Sequence, residues 1–131
     1  LIDAGTLSRV SMESVHFTAA GDFDDVRDAL LRTTNVFESG AAITDRESLF
    51  AVLASALNLS EDFGANWDAA IDAFRCLEAS GARRGFILVV HHGKRLWRDA
   101  ADVAGELVES WLSVAEERRA YDEPFHLVFV W

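Results

Sequence analysis

Two short runs constrain this chain most: residues 85–91 (GFILVVH) and 125–131 (FHLVFVW). Both are apolar on successive positions, so both faces of each strand demand cover. That pattern belongs to parallel strands with helices packed on either side. A long helical pattern separates them, opening at Asp99 as its cap and running to about Arg119. Its buried stripe is Val103, Leu107, Trp111, Val114 and Ala115, with Gly105 costing about 1 kcal/mol relative to alanine. A third extended segment covers residues 34–39. After it comes Thr44-Asp45-Arg46-Glu47, a capping-box sequence ahead of an apolar run through Leu49, Phe50, Leu53 and Leu57. The order is strand, two helices, strand, long helix, strand. This predicts an α/β layered domain with a three-stranded parallel sheet and helical crossovers.

Residues 1–35 read as an added segment on the side of that core. Residues 1–12 carry no clear period. Residues 15–18 suggest a short strand, and residues 22–32 a helix with Phe23, Val26, Leu30 and Leu31 facing inward. With 131 residues, one proline and no repeat, residues 1–131 are expected to form a single domain, 1–35 as extension and 36–131 as core.

The formal charge is −10, from 22 acidic and 12 basic residues. Phosphate contacts need lysine and arginine, so a broad nucleic-acid footprint is not expected. An acidic surface suits a basic partner. Cys76 is the single cysteine, so an internal disulfide is ruled out; it reads as a buried thiol in a reducing cytoplasm. Neither a membrane-length apolar run nor a signal-peptide pattern is present. His91 and His92 are adjacent at a strand end and point opposite ways, which disfavours a shared metal ion. There is no nucleophile elbow, phosphate loop, dinucleotide fingerprint or zinc spacing. The expectation is a non-enzyme without cofactor or metal.

The stretch with the most distinctive chemistry is residues 59–74, LSEDFGANWDAAIDAF. A loop ends at Gly64, and Asn66 is placed to cap a helix extending to about residues 80–81. Trp67, Ala70, Phe74 and Leu77 share one face at helical spacing. Asp68, Asp72, Arg75 and Ala79 share the other, and Ile71 falls on the border. Asp68 suits the first turn, where the helix dipole favours negative charge. Asp72 one turn later repels it. On spacing alone the pair reads first as a solvated helix face; local stability does not explain it, so a partner is the other reading.

The loop-helix motif, Phe63-Gly64-Ala65-Asn66-Trp67-Asp68-Ala69 followed by Asp72, resembles the barstar family of ribonuclease inhibitors, and the order of elements over residues 36–131 is similar. The resemblance implies a small three-stranded parallel sheet with helices. It also implies a cytoplasmic bacterial protein that binds a small secreted guanyl-type ribonuclease one to one and blocks its active site. In that family the loop and following helix enter the enzyme cleft. Asp72 would then occupy the place of a substrate phosphate, and Asp68 would pair with basic groups at the rim. Phe63, Gly64 and Asn66 match loop positions that touch the enzyme, and Arg75 lies on the same helical face. Ser60 stands where the family often has proline. Asp62 and Ile71 stand at contact positions where aromatic residues are common. Those departures leave an alternative, a barstar-like immunity or interaction module for a different toxin. Glu116 and Glu117 are candidates for a further acidic contact on the last long helix.

Overall fold

A computed structural model describes residues 2–60, 63–78 and 83–131. Four parallel strands form one sheet: β1 (Val15–Thr18), β2 (Asn35–Glu38), β3 (Phe86–Val90) and β4 (Phe125–Val130), in the order β1-β4-β3-β2. The two apolar runs are its centre, and every residue of β3 and β4 is buried. Side chains alternate across the sheet. Phe86, Leu88 and Val90 join Phe125, Leu127 and Phe129 on one face, while Ile87, Val89, Val128 and Val130 lie on the other.

The first face is covered by α3 (Arg46–Ala56), α4 (Trp67–Arg75), α5 (Gly93–Asp99) and α6 (Ala101–Arg119). The second is covered by α1 (Ala4–Leu7) and α2 (Ala20–Thr33) through Leu7, Phe23 and Leu30. No helix among the described residues is long and apolar enough to cross a membrane.

The sheet has four strands where three are expected. Val15–Thr18 pairs with β4, from Val15 opposite Leu127 to Thr18 opposite Val130. Residues 1–35 therefore complete the core. Without β1 the outer edge of β4 would present unpaired backbone groups, and without α1 and α2 four aliphatic side chains would face water.

Local corrections have local causes. The cap of α3 is Asp45, one residue later than expected, with Ser48 completing the box: Ser48 N–H donates to Asp45 Oδ1 at 2.7 Å. Asp99 ends α5 instead of capping a single long helix. It pairs with Arg98 at 2.8 Å, and the chain breaks at Ala100 (φ −144°, ψ 53°) before α6 begins. Leu31 is exposed and Val26 half-buried, so α2 contributes only Phe23 and Leu30 as buried residues. Gly85 has φ +78°, and a Cβ there would lie 2.6 Å from Pro124, so the entry to β3 demands glycine.

Candidate functional site

The helix α4 begins as its sequence requires. Asn66 is extended (φ −141°, ψ 171°) and its Oδ1 accepts the Ala69 N–H at 2.9 Å. Its Nδ2 donates back to the Gly64 carbonyl at 3.1 Å, closing the loop onto the helix end. A Cβ on Gly64 would press on that amide at 3.1 Å. Ala65 bridges the two in a left-handed conformation (φ 49°), strained for a residue with a side chain.

The helix stops at Arg75, with Cys76 as its C-cap. The expected end at residues 80–81, and Ala79 on the outer face, lie outside the described residues. Cys76 is exposed, which corrects its reading as a buried thiol: it stands at the C-cap, beyond the last turn that packs on α6. Trp67 is half-buried, while Ala70 and Phe74 are buried, as the apolar stripe requires.

Asp68 and Asp72 both face solvent, the Asp72 side chain being 75% exposed. Ile71 is half-buried and packs against the core. Phe63, Gly64 and Asp72 meet around one shallow hollow of about 320 Å³, shared with Ser60 and Cys76. Asp62 lies outside the described residues. Arg75 is held in place: Nε and Nη2 donate to Glu117 at 3.0 and 2.9 Å, and Nη1 lies 3.6 Å from Asp72. The bonds from Arg75 hold the Glu117 carboxyl below its usual range, and Glu117 in turn raises the Arg75 guanidinium. Of the two α6 glutamates considered, Glu117 is thus the one that reaches α4. His91 Nε2 lies 3.3 Å from Glu38.

Three residues that sequence reasoning missed build the mount. At the start of α4 the Trp67 indole N–H donates to Glu106 on α6. Glu106 also takes a two-pronged contact from Arg46 of α3, at 2.6 and 3.1 Å, which keeps its carboxyl below the ordinary value. At the other end, Arg118 Nη2 lies within hydrogen-bond distance of the carbonyls of Phe74, Arg75 and Leu77 at 2.8, 2.9 and 3.3 Å. The first two are among the carbonyls a helix leaves unpaired at its C-terminus, and Leu77 follows just past the C-cap. The Arg118 guanidinium sits over the rings of Phe86 and Phe125 and pairs with Glu123 through Nη1. Between the two ends, Phe74 meets Trp111 edge-on at 5.0 Å. The helix is therefore fastened to α6 at both ends and along its middle. The one hint in the sequence was that Glu106 and Arg118 fall on α6 within reach of its apolar stripe.

Fold and surface together define a small parallel-sheet α/β protein that displays an acidic helix and its loop on a rigid mount. Residues 33–130 match the family described as Barstar (barnase inhibitor), and the chain belongs to that family. No individually curated protein matches it.

Proposed function

We propose that this protein is an intracellular inhibitor of a secreted guanyl-type microbial ribonuclease, acting by steric and electrostatic blocking of the active site. The observation that carries the reading is the pair of solvent-facing carboxylates, Asp68 and Asp72, on a helix clamped to α6 at both ends, in a chain of an inhibitor family. A ribonuclease cleft offers arginine, histidine and often lysine to a phosphate. Two carboxylates on a stiff helix satisfy those donors through charge-assisted hydrogen bonds, and a helix already in place lowers the ordering cost of binding. Phe63, Gly64 and Asn66 would border the contact, with Asp72 at its centre and Asp68 at its rim.

On this reading the protein is not itself an enzyme and works without metal. Its partner binds one to one, and association slows as salt rises, because steering between opposite charges is screened. The test is inhibition of several purified microbial ribonucleases, with and without chelator. Stoichiometric inhibition of at least one, insensitive to chelator, supports the proposal; failure against the whole panel, together with capture of a different secreted toxin, supports the immunity-module alternative instead.

A further inference from the structure

We infer that an apolar groove beside the loop receives an apolar side chain of the same partner, forming a second anchor next to the carboxylates. The groove lies between α3 and the loop and has a volume of about 590 Å³. Its walls include Phe50, Ala51, Ala54, Ser60, Phe63 and Ala65. Ala51 and Ala54 are one turn apart on α3, and their small side chains leave the space open. Phe50 is buried; Phe63, edge-on to it at 6.3 Å, also lines the space.

The groove is continuous with the acidic face. Ser60 and Phe63 line it and also line the hollow that holds Asp72. One surface therefore runs from an apolar recess, across Ser60 and Phe63, to a carboxylate. Stable interfaces combine an apolar core with charged and polar surroundings, and their energy concentrates where a large side chain fills a pocket. The outer face of α4 supplies charge but no protruding apolar group, since Ile71 is half-buried. The recess supplies the missing half if the partner brings the side chain.

The recess is also preformed. Phe50 packs on Trp67 at 5.0 Å, and Arg46, another wall residue, is held by Glu106. Groove and helix thus share one mount. A second copy of this chain is a poor occupant, because two molecules of charge −10 would meet at their acidic faces. The occupant is therefore an aromatic or branched aliphatic side chain next to the basic cleft of the ribonuclease, an inference that rests on the inhibitory reading above.

The test is the double variant Ala51→Gln/Ala54→Gln, which fills the recess with amides in residues that suit a helix. Its binding kinetics are measured against a ribonuclease that the parent inhibits, beside Asp72→Ala and thermal unfolding of each variant. The expected result is dissociation at least about tenfold faster, with association and its salt dependence unchanged, because loss of an apolar anchor acts on the formed complex. The melting temperature should hold; if the double variant melts early, Ala51→Gln alone repeats the test at an exposed position. Parent-like dissociation while Asp72→Ala weakens binding overturns the groove and leaves the inhibitory reading standing. A concentration-dependent dimer of the parent that the double variant abolishes also overturns it, by giving the groove to a second copy. A parent that binds no ribonuclease overturns both.

Discussion

The Arg118 guanidinium reaches the Phe74 carbonyl at 2.8 Å, across 44 residues of sequence. One buried cation thus satisfies the C-terminal end of the helix that carries Asp68 and Asp72. With this contact and its counterpart at Glu106, the display helix cannot fray from either end without breaking a contact to α6. On its outer face Arg75 is tied to Glu117, while the Asp72 side chain stays largely exposed.

Arg118→Met should cost about 3 kcal/mol of stability, because the helix-end carbonyls and the Glu123 carboxylate lose their donor together. Arg118→Lys should recover little of it, since an ammonium cannot reproduce a planar fork over two rings. Urea unfolding of the three proteins checks this. A methionine variant as stable as the parent would remove the clamp from the account.

Asp72→Ala should weaken ribonuclease inhibition by roughly 30-fold or more, the effect of a central interface anchor, and by more than any other single change on α4. A central aspartate of this inhibitor family is itself an example of that rule. Stability should stay close to the parent, as the exposed Asp72–Arg75 contact at 3.6 Å and the repulsion from Asp68 oppose one another. Inhibition constants and melting temperatures for Asp68→Ala and Asp72→Ala, with Glu78→Ala just beyond the helix as a control, decide it.

Asn66→Ala should destabilise the protein by about 1 kcal/mol through loss of the cap. Asn66→Asp keeps the acceptor and should cost less in stability, while adding a negative charge next to the acidic face. The two variants separate capping from contact: both unfold in denaturant as the cap dictates, whereas the aspartate variant alone should bind a basic ribonuclease at least as fast as the parent.

His16 and His126 form a pair that makes stability depend on pH. His126 Nε2 donates to the Arg9 carbonyl at 2.7 Å, so its Nδ1 accepts from His16 Nε2 at 2.9 Å, and both rings are neutral. Burial, with the neighbouring ring second, pushes His16 down to about 4, and burial also lowers His126. In this window the unfolded chain binds more protons than the folded one. Stability is therefore fully present above the unfolded value near 6.5 and falls as pH drops toward 4. The slope approaches about 1.4 kcal/mol per pH unit for each ring that stays neutral. The carboxylates with lowered values, among them Asp45, Glu106 and Glu117, add a slope of the same sign at the acid end of this range, from about pH 5 downward. Denaturant unfolding between pH 4 and 8 should show the slope, and His16→Gln should flatten it. A parent whose stability is level across that range contradicts the pairing.

The sequence by itself determined the parallel α/β class, the two central strands and the start of the display helix. These are local or periodic properties: Phe86 to Val90 and Phe125 to Val130 are apolar at every step or nearly so, and Asn66 caps within three residues. The loop-helix motif also made Phe63, Gly64, Asp68 and Asp72 readable as one group, because they lie within ten residues of one another. Residues 15–18 read as a short strand, but only the tertiary structure placed Val15–Thr18 in the sheet, because the partner of so short a segment is the edge of β4, far away in sequence. The tertiary structure also decided where helices end: Cys76 is exposed and Asp99 caps nothing, because termini depend on which long-range donors reach the last carbonyls. The clamp belongs to the same class. Glu106 meets Trp67 across 39 residues and Arg118 meets Phe74 across 44, and no periodicity along a chain encodes a contact between side chains that only folding brings together.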